Sequence, residues 1–179
     1  QSLGSQAFQN CKALVEIEIP KSLNEAGGYV FQGSGLTSVT FEAGTDKVVG
    51  DLFSNAEKLE NVPLLDTMTT IGSSTFSGCK SLREIRLPNK LTAIGNFAFR
   101  NCTALESITI PDTVTKIGWN AFDGCTNLSN VSLSKSLQSL GSQAFQNCKA
   151  LVEIEIPKSL NEAGGYVFQG SGLTSVTFE

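Results

Sequence analysis

Histidine is absent from the 179 residues. That absence removes the commonest general base and any Ser-His or Cys-His nucleophile. Zinc is equally unsupported, because no C-x-x-C pair stands in for the missing imidazoles. No run of about 18 apolar residues occurs, so no membrane-spanning helix and no membrane insertion are expected. The chain opens at Gln1 with neither a Met nor a basic-then-apolar leader, so the true terminus is expected elsewhere. Basic charge is scarce too: 13 Lys and Arg face 17 Asp and Glu, for a net charge of −4. A nucleic-acid partner, whose phosphates need a basic stripe, is excluded on that ground, as is adhesion to anionic lipid by charge.

What the chain has is self-similarity. Residues 1–42 and 138–179 are identical letter for letter, at an offset of 137. Such identity implies either duplication of a block inside a longer parent, the preferred reading, or deliberate assembly. Within the block a shorter period runs through MTTIGSSTFSGCKSLREIRLPNK from Met68, LTAIGNFAFRNCTALESITIPDT from Leu91 and VTKIGWNAFDGCTNLSNVSLSKS from Val114. The unit is 23 residues long, and five such units with one of 22 fill the block. The chain divides into repeats 1–22, 23–45, 46–67, 68–90, 91–113, 114–136, 137–159 and 160–179 of a single solenoid.

Each unit has a physical reading. In LREIRL, LESITI and LSNVSL the last two apolar residues alternate with polar ones, the pattern of a short strand with one buried face. Pro20, Pro88, Pro111 and Pro157 follow and stop the strand by removing a backbone donor. One strand per unit is therefore predicted near residues 14–19, 36–41, 59–64, 82–87, 105–110, 128–133 and 151–156, paired in one continuous parallel sheet. A second extended piece, LTAIG in the unit from Leu91, buries Leu91 and Ile94. It ends at a glycine that recurs in all eight units, as expected where φ must be positive or backbones must approach closely. A single turn of helix, NFAFRNC in that unit, is expected next. It buries a Phe that also recurs in all eight units, from Phe8 to Phe168. One unit cannot bury its own apolar edges, so neighbours must stack. Neither end carries a polar capping unit, and both ends look cut.

The motif L-x-x-I-x-L-P followed by I-G-x-x-A-F-x-x-C resembles the BspA-like, or treponemal-type, leucine-rich repeats. The resemblance covers the whole chain and implies a right-handed solenoid with a parallel sheet on one face and short turns or single-turn helices elsewhere. It also implies an extracellular or cell-surface location, since members are typically large surface or secreted proteins, several of them associated with adhesion. Departures lie between residues 23 and 67. There Ser34 and Ala56 replace Cys, the spacing slips by one residue, and Pro63 falls inside a predicted strand, so a weakened ladder is expected.

Five cysteines, Cys11, Cys79, Cys102, Cys125 and Cys148, share one repeat position. Their side chains point in parallel into the core, so they are expected to be buried and unpaired rather than a disulfide framework. The pairs Glu16 with Glu18 and Glu153 with Glu155 have a spacing that suits two glycosidase carboxylates. An open, solvated sheet gives neither the burial nor the dry pocket that such chemistry needs. No catalytic residue, metal ligand or cofactor is expected, and GGYVFQGSG from Gly27 lacks the Lys and the context of a phosphate loop.

Two outward residues per strand form a polar strip with acidic ends and without aromatic anchors. Arg83 and Arg86 interrupt it near the middle. A protein or glycan ligand is expected on this face between residues 82 and 110, with Arg83, Glu84, Arg86, Glu106, Ser107 and Thr109 as the candidate surface. Trp119 is not required by the unit, since Ser73, Asn96 and Ser142 occupy its place elsewhere. It is expected to cover part of a neighbouring unit. The implied function is a non-enzymatic adhesion or binding array, with a structural spacer within a longer repeat chain as the alternative.

Overall fold

The computed structural model describes all residues from Gln1 to Glu179. It is a parallel β-solenoid with one coil per repeat. The first line of strands holds the longer ones: β2 (Glu16–Ile19), β4 (Ser38–Phe41), β8 (Ser107–Thr109), β10 (Asn130–Ser132), β12 (Glu153–Ile156) and β14 (Ser175–Phe178). The second line, past the proline turn, holds two-residue strands: β1 (Ser2–Leu3), β3 (Glu25–Ala26), β5 (Lys47–Val48), β6 (Thr70–Ile71), β7 (Ala93–Ile94), β9 (Lys116–Ile117), β11 (Ser139–Leu140) and β13 (Glu162–Ala163).

The continuous sheet is not where the alternation predicted it. The second line forms the long ladder, with β5, β6, β7, β9, β11 and β13 paired in parallel in that order. The first line is broken into three pairs, β2–β4, β8–β10 and β12–β14. Residues 82–87 form no strand, and within 59–64 a single pairing joins Ser38 to Asn61. Pro63 supplies a reason for the loss within 59–64. In β2–β4 the Ser38 and Glu42 amides donate to Val15 and Ile19 carbonyls of the unit below, at 3.2 and 2.9 Å. Asn61 repeats the pattern by donating to the Thr37 carbonyl at 3.1 Å. Two residues on, the register puts Pro63 where an amide should reach the Val39 carbonyl, and proline has no N–H. The ladder stops there. No backbone hydrogen bond rejoins the strand line until the Glu106 amide donates to the Arg83 carbonyl at 3.1 Å. The further break between β10 and β12 has no such covalent cause in residues 129–132.

The expected turn of helix is also replaced, by a run of tight turns. In the unit from Leu91, Arg100 and Cys102 donate three residues back to Phe97 and Phe99 at 3.1 and 3.2 Å. The intervening amides of Phe97, Phe99 and Asn101 instead donate to the next unit, to Trp119, Ala121 and Asp123, at 2.7–2.8 Å. A helix cannot share its amides in that way. It is also interrupted by Phe97 and Asn101, both left-handed at φ 57°. The recurring glycine answers to close approach rather than to φ. A Cβ on Gly95 would overlap the backbone of Gly72 and Ser73, and one on Gly141 the backbone of Gly118 and Trp119.

Burial follows the stack. Forty-four buried apolar residues make one contiguous core. Its axis is the phenylalanine column, whose successive rings lie 5.0–5.8 Å apart and within 21° of parallel from Phe8 to Phe168. Beside it runs the cysteine column. All five thiols are free, as expected. Four are buried, and each donates to the carbonyl of the phenylalanine 26 residues earlier, as Cys102 Sγ does to Phe76 at 3.1 Å and Cys125 Sγ to Phe99 at 3.1 Å. Cys11 corrects the expectation of uniform burial: it is exposed, because no unit lies beneath it to supply that carbonyl and close its side of the layer.

Candidate binding site on the strand face

The gap in the strand line is also where the strand face is hollow. Glu60, Asn61, Val62 and Pro63 face Glu84, Ile85, Arg86 and Leu87 across an open depression of about 760 Å³, closed on the far side by Ser107, Thr109 and Pro111. A second depression of about 340 Å³ lies beside it, lined by Glu60, Ser81, Arg83, Glu84, Glu106 and Ser107. All six residues expected to form a ligand surface line one of these two hollows.

Each side chain reaches the site through the strand period. Val62, Ile85 and Ile108 point into the core, so their neighbours Asn61 and Pro63, Glu84 and Arg86, and Ser107 and Thr109 point out. Arg83 occupies the same repeat position as Glu60 and Glu106, one residue earlier, and none of its nitrogens is within 4.0 Å of a carboxylate. Arg86 is held loosely, its Nη2 3.2 Å from Asp66 Oδ1 with both side chains largely exposed. An exposed pair of that kind is worth roughly 0–1 kcal/mol, little enough to be exchanged for a ligand carboxylate. The backbone adds to this polarity, for the amides of residues 83–87 donate to no protein acceptor. Sequence reasoning located the residues but missed the hollow. Its signal was Pro63, read as a weakened ladder rather than as an opening.

A third hollow, of about 330 Å³, marks the other break and is lined by Asn130, Glu153, Glu155 and Thr177 among others. It lacks any cation, which separates it from the hollows around Arg83 and Arg86. The carboxylates of Glu16, Glu18, Glu153 and Glu155 are all exposed, the environment expected for solvated charge. No group of three or more His, Cys, Asp or Glu residues gathers in metal-binding geometry, and no helix is long and apolar enough to cross a membrane. Trp119 departs from expectation: it is 61% exposed, while its amide donates to Asn96 Oδ1 of the unit below at 2.9 Å.

Comparison with known proteins bears on the same residues. The family model described as the BspA type leucine rich repeat region matches in six copies over residues 1–96 and 69–179. A leucine-rich repeat protein from Bacteroides ovatus is similar at 34% identity and a TM-score of 0.71, over 98% of this chain and 40% of that one. A leucine rich cell surface protein from Faecalibacterium prausnitzii is similar at 25% identity and a TM-score of 0.55, over the whole of this chain and 65% of that one. The pneumococcal vaccine antigen PcpA shares the fold at 22% identity and a TM-score of 0.59, over 99% of this chain and 54% of that one. The chain thus spans about two fifths of the Bacteroides protein's length. No curated protein matches the sequence.

Proposed function

We propose, from the premise that this chain belongs to the BspA type leucine-rich-repeat family, that it is a surface or extracellular binding array whose ligand docks on the strand face. The location is supported by the similarity to the Faecalibacterium protein, a leucine rich cell surface protein. The single observation that carries the binding site is the pair of adjoining hollows around Arg83, Glu84, Arg86, Glu106, Ser107 and Thr109. An unpaired guanidinium and a weakly paired one, standing among serine and threonine hydroxyls and unpaired backbone amides, form a site for a ligand with carboxylates or dense hydroxyls. A protein or glycan ligand meets that description. Many such sites along one chain yield avidity without any single tight contact. A non-enzymatic role accords with the exposed setting of Glu16, Glu18, Glu153 and Glu155.

The test is a double variant, Arg83→Glu with Arg86→Glu, measured by surface plasmon resonance against immobilised matrix proteins and glycans. Neither side chain enters the core, so the melting temperature should stay within about 2–4 °C of the parent. Affinity for any ligand found should fall at least tenfold. A ligand whose affinity is unchanged by the double variant moves the site off this face. A chain that binds none of the panel is a spacer, the role the solenoid's reach alone would serve.

A further inference from the structure

Every unit carries two left-handed residues, and the two columns they form are filled by opposite rules. One column reads Asn10, Gly33, Asn55, Gly78, Asn101, Gly124, Asn147 and Gly170, with φ between 57° and 76°. Asparagine and glycine are the residues that tolerate this conformation best. Their strict alternation has a steric cause. A Cβ added at Gly33, Gly78, Gly124 or Gly170 would overlap the Oδ1 of the asparagine one unit below. The other column, four residues earlier in each unit, reads Gln6, Tyr29, Asp51, Ser74, Phe97, Asn120, Gln143 and Tyr166, with φ between 52° and 61°. Glycine never occupies it, and bulky aromatics sit there against the backbone preference. The same backbone demand is met only by asparagine and glycine in one column, whereas the other admits two tyrosines and a phenylalanine, side chains that the backbone alone does not call for.

Those side chains border a groove. Between Tyr29 at one end and Phe97 at the other lies a depression of about 360 Å³, on the turn side of the coil away from the strand face. Its floor is Asp51, Ser54, Asn55, Ser74 and Ser77. Tyr29 is 47% exposed, and Arg100 lies over the Phe97 ring at 5.8 Å from its centre. Arg100 is itself anchored, with Nε 3.1 Å from the buried Asp123 carboxylate, so the Phe97 wall is braced. The Asp51 carboxylate and the Ser74 and Ser77 hydroxyls make no side-chain hydrogen bond within the protein. Tyr29 and Phe97 stand three units apart, roughly 15 Å at the strand spacing.

We propose that this groove binds a short neutral oligosaccharide, each aromatic wall packing on the apolar face of a sugar ring while the floor takes its hydroxyls. The chemistry selects this ligand over a peptide. The floor has carboxylate, carboxamide and hydroxyl groups but no apolar pocket of the sort that anchors a protein side chain. A half-exposed tyrosine and a partly exposed phenylalanine backed by Arg100, in polar surroundings, suit a ligand that is apolar on one side and hydroxylated at its rim. The site is separate from the strand face and does not depend on the reading given for it.

The experiment titrates the 179-residue chain with cellotriose, maltotriose and chitotriose, by calorimetry and by saturation-transfer NMR. At least one trisaccharide should bind, with its ring protons saturated from the aromatic resonances. Tyr29→Asn and Phe97→Asn should each weaken that binding about tenfold. Both should hold or raise the melting temperature, because asparagine is at ease in the left-handed region. Asp51→Asn, which removes the carboxylate and keeps a residue at ease in the left-handed region, should weaken binding without altering the fold, which keeps the test open if Phe97→Asn fails to fold. Arg83→Glu with Arg86→Glu should leave it unchanged. Absence of binding to all three sugars, binding by Tyr29→Asn and Asp51→Asn equal to that of the parent, or saturation transfer to short peptides alone would overturn the proposal.

Discussion

Residues 1–42 and 138–179 are the same sequence in two environments, and they separate what a segment dictates for itself from what its neighbours confer. Local structure is identical. The pairing of Glu16 with Ser38 recurs as Glu153 with Ser175, in the same register over four residues. The left-handed residues recur as well, Gln6 with Gln143 and Tyr29 with Tyr166. Burial does not recur. Phe41 is 8% exposed beneath the unit from Asp46, while its copy Phe178 is 77% exposed. In the other direction Cys148 is buried above the unit from Val114, while its copy Cys11 is open. Turns and strands belong to the unit, and the hydrophobic core belongs to the interface between units.

The largest break in this comparison comes from alkali. Burial pushes the thiols of Cys79, Cys102 and Cys125 far up, and that of Cys148 up to about 12, against an ordinary value near 9. A group whose pKa is raised in the folded state holds its proton there after the unfolded chain has lost it. Its stabilising effect is therefore complete below the unfolded value and declines as pH rises toward the folded one. Each buried thiol should cost about 1.4 kcal/mol per pH unit above that point. Denaturant titrations between pH 8 and 11 should show a steep loss. Replacing the four buried cysteines with alanine, the residue found at position 56, should flatten it. An equal slope in that variant would remove the thiols from the account.

Next in size is one substitution made twice. Phe41→Ala should destabilise by about 3–5 kcal/mol, because it empties a filled layer, whereas Phe178→Ala should change stability by less than about 0.5 kcal/mol. Equal losses in urea melts would mean that the two copies share one environment after all. A smaller effect is expected at the gap. Pro63→Thr gives back the donor that the aligned Thr40 and Thr109 possess, and one restored hydrogen bond to the Val39 carbonyl should stabilise by about 1 kcal/mol. A destabilised variant would show that Pro63 fits the gap better than a ladder would.

The same division explains what was legible in the sequence. The 23-residue period, the phenylalanine column and the outward position of Arg83, Glu84, Arg86, Glu106, Ser107 and Thr109 follow from alternation within a unit, and all were readable. The break at residues 82–87 was not, because LREIRL alternates as well as LESITI does, and pairing depends on the neighbouring unit as much as on the segment itself. The turn of helix was misread because NFAFRNC has helical composition, while its amides are claimed by Trp119, Ala121 and Asp123 of the next unit. Cys11 was misplaced for the same reason, since its burial was never a property of its own repeat. The groove between Tyr29 and Phe97 was missed because left-handed residues other than glycine and asparagine leave no trace in composition.

The measurement that bears most directly on the proposed binding face is hydrogen exchange followed by mass spectrometry, comparing the amides of residues 83–87 with those of β4. Val39 donates to the Asn61 carbonyl at 3.3 Å and Ser38 to Val15 at 3.2 Å, whereas none of the five amides from Arg83 to Leu87 has an acceptor. If the strand line opens at this unit and leaves a polar hollow, residues 83–87 exchange at least about tenfold faster than residues 38–41 in the folded chain. Equal protection of the two segments would mean an unbroken ladder, and with it no hollow for a ligand to enter.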